Sequence, residues 1–361
     1  MKILYITTHL DNGGAEKLIA DMAIYSKKKG LEVTVLMILN RKGVPYENLM
    51  INKIKVINLN KSSLHDFALS FTLYNISKKF DIIHTHTYYA QLYSSLFISK
   101  KKLITTEHST NNNRRNKKIF KLIDSLMYFK YSKIVSITDS VEKNLKKWII
   151  SKNKDKFSVI NNGIDVEKYF NDKKVEKEQI GFKKKETLLI SVGRLEPVKN
   201  QLLLLDAFSE IRDPNVKLIL IGNGSLKPEI LKKIKNKNLF DRVTLLENIK
   251  NIDTFLKASD VFVLPSLWEG FGLSALEAAI SGNTLVLSDI EGLKDMIDEV
   301  TEQALFFDPV SKDELLKTIL KAISMVGNDE KSINIDYVQE NLSIQSMMDK
   351  YLKVYKEIKG G

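Results

Sequence analysis

The chain contains no cysteine. Disulfides and thiolate metal sites are therefore excluded, which agrees with a cytoplasmic enzyme. Long apolar runs are missing too: none approaches the roughly 18 residues that a spanning helix needs. The opening stretch, MKILYITTHLDNGG, has too short an apolar part for a signal peptide and meets Asp11 early. It reads instead as a first strand, and the protein as soluble or seated on a surface. There is no zinc-ligand spacing, no aromatic-basic ribonucleoprotein motif and no recognition helix, so nucleic acid is not expected as a partner. No Asp-x-Asp motif stands on a strand-end loop, so no metal and no other cofactor is expected.

What is present is an ordinary globular composition, 43% hydrophobic and 28% charged over 361 residues. At about 150 residues per domain this length suggests two domains. The formal charge of +12 comes mostly from lysine, denser at SKKKG, SKKKL, NNNRRNKK and GFKKKE. Such charge suits anionic lipid or anionic substrates, and equally the solvated helix faces of a lysine-rich protein.

Short apolar runs alternate with segments of helical period, the pattern of βα units and parallel sheets. The first series is KILYIT, EVTVLMIL, KVINL, DIIHTH, KLITT, KIVSIT and FSVINN, with helices such as 16–29 and 140–148 between them. The second is TLLISVG, VKLILIG, RVTLLE, VFVLPS, TLVLSD and ALFFD. The expected architecture is α/β, two doubly wound Rossmann-like domains facing across a cleft. The expected boundaries are an N-terminal domain over 1–170, a polar linker over 171–185 and a C-terminal domain over 186–335. Closing helices over 336–361 are expected to pack back toward the first domain. In such sheets ligands bind beyond the carboxyl ends of the strands.

Four of the five histidines fall at those ends: His9, His84, His86 and His108, with His65 elsewhere. A single one is commonly a packed or capping residue; four suggest that at least one lines the active site. His84 and His86 share a strand face, as two metal ligands would, but no further ligand is spaced to join them. Gly13 and Gly14 open the first long helix, where backbone amides can approach an anion. Gly222 and Gly224 come nearer a dinucleotide fingerprint but lack its third glycine, and a tight turn explains either pair. Arg194 and Lys199 stand together on the loop after TLLISV, suited to phosphate oxygens.

The stretch LWEGFGLSALEAAISG joins a buried strand to a helix. Ser274 and Glu277 fit a capping box, which leaves Glu269 unexplained. Free amides at Phe271, Gly272 and Leu273 favour a phosphate. A carboxylate beside a phosphate is unfavourable unless it serves another group, such as a sugar hydroxyl. The combination suggests a sugar nucleotide.

These residues resemble the Glu-x7-Glu motif of the retaining, GT-B-fold glycosyltransferases of glycosyltransferase family 4. GGAEK, TTEH, VINNGID, SVGRLEPVKN and IGNGSLKPEI occur in that family's order along nearly the whole chain. The resemblance implies that Glu269 contacts hydroxyls of the transferred sugar and Glu277 the ribose. It implies that Arg194 and Lys199 hold the leaving diphosphate, with Gly14 and the amides near Gly272 close by. His108 resembles the histidine that approaches the donor sugar, with His86 and Glu107 as companions. Thr284 stands where relatives usually carry proline. The implied activity is transfer of a hexose or N-acetylhexosamine from a nucleotide-sugar donor, UDP-linked by family frequency, to a glycan or lipid-linked acceptor. The other readings are a sugar-nucleotide 2-epimerase of similar fold and a non-catalytic sugar-nucleotide-binding protein. Attachment to an anionic membrane surface, on its cytoplasmic side, is expected from Arg114, Arg115, Lys117 and Lys118.

Overall fold

The structure is a computed structural model that describes every residue except 65, 110–112, 151–152, 154, 171–174, 328–332 and 361. His65 and the first part of the expected linker lie outside the described residues. Every expected strand forms, with ends shifted by no more than a few residues. The chain divides into two compact units, one of Met1–Gly163 with Asn341–Gly361 and one of Ile164–Glu340.

The first unit is built on a seven-stranded sheet of β1 (Lys2–Thr7), β2 (Glu32–Leu39), β3 (Lys55–Lys61), β4 (Ile82–Thr85), β5 (Leu103–Glu107), β6 (Lys133–Ser136) and β7 (Phe157–Val159). The strands run parallel in the order β3-β2-β1-β4-β5-β6-β7. Its helices are α1 (Gly14–Lys28), α2 (Val44–Ile51), α3 (Ala68–Ser77), α4 (Tyr88–Phe97), α5 (Lys118–Phe129) and α6 (Asp139–Trp148). The second unit carries α7 (Val166–Tyr169), β8 (Thr187–Val192), α8 (Gln201–Phe208), β9 (Val216–Ile221), α9 (Lys227–Asn236), β10 (Val243–Leu246) and α10 (Ile252–Ala258). It continues through β11 (Val261–Leu264), α11 (Leu273–Ile280), β12 (Thr284–Ser288), α12 (Leu293–Asp298), β13 (Ala304–Phe307) and α13 (Lys312–Ser324). Two last helices follow, α14 (Ile335–Asn341) and α15 (Ile344–Gly360). The second sheet is also parallel, in the order β10-β9-β8-β11-β12-β13.

Central strands are apolar on both faces because helices cover both sides of a parallel sheet. All four residues of β11 are buried, as are five of six in β1. In each sheet the strand order reverses once, between β1 and β4 and between β8 and β11. At a reversal the neighbouring βα loops diverge to opposite faces and leave room for a ligand.

The partition differs from the expected one around residues 164–185. Ile164–Tyr169 groups with the second unit, and the segment expected to be a linker is anchored where it is described. Lys177 Nζ donates to Asp260 Oδ2 and to the Glu186 carbonyl, both at 2.6 Å. At the other end, Met347, Met348, Tyr351 and Tyr355 of α15 share a core with Ile3 and Tyr5 of β1. No helix among the described residues is long and apolar enough to cross a membrane.

Candidate active site

In the second unit the two loops at the strand reversal are joined. The Leu267 amide donates to the Val198 carbonyl at 2.8 Å. Lys199 Nζ lies 2.5 Å from Glu269 Oε1, and Ser266 Oγ donates to the same oxygen at 2.6 Å. The pair is mostly shielded, its side chains 17% and 10% exposed. The pairing answers the electrostatic objection raised by a carboxylate beside a phosphate. An ammonium held against Glu269 offsets its charge, leaving the carboxylate able to accept from hydroxyls. Arg194 is exposed, and its side chain has no ion pair or hydrogen bond among the described residues. Its backbone is held instead, through Gln201 Nε2 donating to its carbonyl at 2.9 Å.

The loop carrying Arg194 and Lys199 rests on the one after β9. The Gly193 amide donates to the Ile221 carbonyl, and the Leu195 amide to the Asn223 carbonyl. A Cβ at Gly222 would lie 1.9 Å from the Gly193 oxygen, and one at Gly224 2.3 Å from the Leu195 oxygen. These glycines are thus required by close backbone approach, which is the turn reading of IGNGSLK.

Helix α11 begins at Leu273, with Gly272 as its N-cap at φ +77° and no side-chain cap. Ser274 therefore lies inside the helix and caps nothing, contrary to the capping box read from the sequence. The cause is the left-handed turn at Gly272, where a Cβ would meet Leu293 Cδ1 at 2.5 Å. The Ala275 and Leu276 amides both donate to the Gly272 carbonyl. The amides left without an intrahelical partner are thus those of Leu273 and Ser274, shifted onward from the expected Phe271–Leu273. Phe271 is buried, as is Glu277 one turn into the helix. Helical side chains lean toward the N-terminus, which directs Glu277 back toward this start.

In the first unit, the loops after β1 and β4 are tied by the Thr8 amide donating to Thr87 Oγ1 at 2.8 Å. The four strand-end histidines separate into different roles. His84 is a core residue: its Nδ1 bonds the Tyr355 hydroxyl at 2.7 Å and its Nε2 the Thr106 hydroxyl at 2.8 Å. Both nitrogens being engaged, the chelating pair with His86 does not form. His86 Nδ1 bonds His108 Nε2 at 3.1 Å, while His86 Nε2 is buried with no partner among the described residues. His9 Nδ1 lies 3.6 Å from Glu16 Oε1. That carboxylate also lies over the start of α1, where a Cβ at Gly13 would meet Glu16 Oε2 at 2.2 Å. The helix end at Gly14 already faces a carboxylate, so the close turn explains Gly13. Glu107 is buried and accepts from the Tyr128 hydroxyl of α5.

Burial holds the His108 imidazole down at about 4. It also pushes His84 and His86 well below the usual histidine range, with the neighbouring imidazoles adding to the shift. All three are neutral at pH 7. An unfolded chain would bind protons near pH 6.5 while the folded one resists, so their stabilisation is complete above that and lost on acidification. The urea midpoint of the first unit should fall between about pH 6.5 and 4, less steeply in a His108→Gln variant. Equal slopes in the two proteins would contradict this.

Sequence reasoning missed Ser266, Gln201 and Thr87. Ser266 precedes Glu269 by three residues at a strand end, which is a faint signal; the other two act only through tertiary contacts.

Two parallel doubly wound units, each with a ligand-admitting strand reversal, define the GT-B fold. Residues 172–336 match the family model of glycosyl transferases group 1, and residues 12–168 that of glycosyltransferase family 4. The chain belongs to the GT-B glycosyltransferases of family 4. Over 145 residues, 38% of each chain, it is 38% identical to the UDP-Gal:alpha-D-GlcNAc-diphosphoundecaprenol alpha-1,3-galactosyltransferase of Escherichia coli. Over 175 residues it is 31% identical to the N-acetylgalactosamine-N,N'-diacetylbacillosaminyl-diphospho-undecaprenol 4-alpha-N-acetylgalactosaminyltransferase of Campylobacter jejuni, covering 48% of this chain and 46% of that one. The chain spans less than half the length of these two curated relatives. The crystal structure of Anabaena Alr3699/HepE in complex with UDP and glucose superposes with a TM-score of 0.84 at 19% identity, over 99% of this chain and 100% of that one. WaaG, a glycosyltransferase involved in lipopolysaccharide biosynthesis, does so at 0.73 and 13%, over 99% and 100%. At those identities the likeness carries the fold.

Proposed function

We propose that the protein is a retaining, metal-independent glycosyltransferase that moves a hexose or N-acetylhexosamine from a UDP-sugar to a lipid-linked glycan in bacterial surface polysaccharide synthesis. The observation that carries this reading is the Lys199–Glu269 pair at the β8/β11 reversal, beside the free end of α11. Breaking a sugar–phosphate bond places negative charge on the diphosphate and positive charge on the anomeric carbon. Lys199, Arg194 and the amides of Leu273 and Ser274 meet the first need, at roughly 3 kcal/mol per well-placed donor. Glu269 would accept from sugar hydroxyls, and Glu277 from the ribose. His108, neutral at pH 7, would act as a hydrogen-bonding partner of the sugar and not as a cation. Gly14, His86 and Glu107 belong to the same set by the family pattern; of these, Glu107 has the Tyr128 hydroxyl as its own partner.

The named relatives that act on diphospho-undecaprenol acceptors support the lipid-linked class, and the UDP complex of the Anabaena protein supports the nucleotide. Work on such acceptors would take place at the cytoplasmic face of a membrane. A thermal-shift panel tests the donor: UDP-sugars should raise the melting temperature by several degrees, GDP-sugars much less, and EDTA should change neither the shift nor the activity. Stabilisation by GDP-sugars alone would overturn the UDP assignment. Activity lost with EDTA and restored by Mg2+ would overturn metal independence. NMR of the product's anomeric configuration decides retention.

A further inference from the structure

Two imidazoles at the ends of β4 and β5 share one hydrogen bond, and the sharing dictates where their protons sit. His86 Nδ1 lies 3.1 Å from His108 Nε2. Burial keeps both rings neutral at pH 7, so each carries one proton on one nitrogen. Only two arrangements then make the bond. If His108 donates from Nε2, His86 accepts at Nδ1 and carries its own proton on Nε2. If His86 donates from Nδ1, its Nε2 is a bare lone pair and His108 carries its proton on Nδ1.

The surroundings of His86 decide between them. The residue is 3% exposed, and its Nε2 is buried with no partner among the described residues. A proton there would make a donor stripped of water with nothing to accept from it. Orphaned buried N–H groups are rarer than under-satisfied acceptors, which favours the second arrangement. The ring cannot escape by turning over, since that would put a carbon where Nδ1 meets His108. Its backbone amide donates to the Ile6 carbonyl at 3.1 Å. Its ring centroid lies 4.0 Å from that of His84 and 5.3 Å from that of His108. His84 is itself clamped, by the Tyr355 hydroxyl of α15 on Nδ1 and the Thr106 hydroxyl of β5 on Nε2, at 2.7 and 2.8 Å. Tyr351 of α15 in turn holds the Thr106 hydroxyl at 2.9 Å. The last helix of the chain thus backs the ring on which His86 rests.

We infer that His86 is a positioning residue, which donates its Nδ1–H to His108 and so holds His108 as the Nδ1–H tautomer, a hydrogen-bond donor toward substrate. With Nε2 taken by His86, Nδ1 is the nitrogen of this half-buried ring left to meet a ligand. It recognises an oxygen lone pair, such as that of a sugar hydroxyl or a phosphate, and has none of its own with which to accept a proton. The tautomer follows from the first unit alone. Its part in turnover rests on the transferase reading above.

The closing experiment therefore has one arm without substrate. The parent protein, labelled with 15N at its five histidines, is recorded by long-range proton–nitrogen NMR at pH 7, with His108 identified by its loss in His108→Gln. His86 and His108 should both show a protonated Nδ1 and a bare Nε2. The second arm is kinetic. His86→Leu keeps only the bulk of the ring, whereas His86→Asn keeps an N–H donor at the Nδ1 position. The first should lower kcat about tenfold or more, and the second should recover most of that loss at equal melting temperature. A His108 ring protonated at Nε2, or equal impairment in the two variants at equal melting temperature, would overturn the inference. A parent protein that transfers no sugar would overturn the proposed function instead, and the NMR arm would still decide the tautomer.

Discussion

Replacing Glu269 by alanine should lower kcat/KM for transfer by about 10²–10³-fold, corresponding to about 3–4 kcal/mol of transition-state stabilisation. The size follows from where the carboxylate sits. It is held by Lys199 and Ser266 at 2.5 and 2.6 Å, so it meets an incoming sugar already oriented. Lys199→Met should cost a similar amount through the leaving diphosphate. Because the two groups neutralise each other, the double variant should be less impaired than the product of the single effects. A purely structural pair would behave differently: activity would then fall only as far as the melting temperature predicts. The backbone bond from Leu267 to Val198 survives both substitutions, so the loops should stay joined. Steady-state kinetics alongside thermal unfolding separates these outcomes, and a Glu269→Ala enzyme within threefold of the parent would remove Glu269 from the site.

A second large effect is expected far from any reacting atom. Gly222→Ala puts a methyl group 1.9 Å from the Gly193 carbonyl oxygen, so one of two backbones must move. The cost in stability should be about 1–3 kcal/mol. The displaced strand is the loop that carries Arg194 and Lys199, and an error of about 1 Å in such groups costs on the order of 10²-fold in rate. Gly282→Ala is the control. Gly282 has φ +85° but nothing within 4 Å of a Cβ, so the variant should lose stability through strain and keep its activity. If the two variants lose activity equally, the loop-on-loop packing does not position the site.

The strands were readable because both sheets are parallel and buried on both faces, which demands unbroken apolar runs between polar turns. The strand reversals, and with them the pairing of the Lys199 and Glu269 loops, follow from strand order, which no single run announces. Local patterns misled where tertiary contact decides the geometry. Ser274 and Glu277 match a capping box, yet Gly272, packed against Leu293, starts the helix earlier. His84 and His86 look equivalent from their alternation. They differ because α15 brings Tyr355 to His84 from 271 residues away, making it a core residue. His86 is left to pair with His108. The linker looked free because it is polar and lysine-rich, but Lys177 reaches Asp260, 83 residues along the chain.

The most direct measurement is mass spectrometry together with proton NMR, which tells 2-epimers of equal mass apart, of a UDP-sugar panel incubated with the enzyme, with and without a sugar-diphosphate-lipid acceptor. The expected result is UDP release that requires the acceptor, together with one added sugar on the lipid-linked product. Conversion of a UDP-sugar to its 2-epimer without acceptor, or no consumption of any donor under either condition, would contradict the assignment of this site to glycosyl transfer.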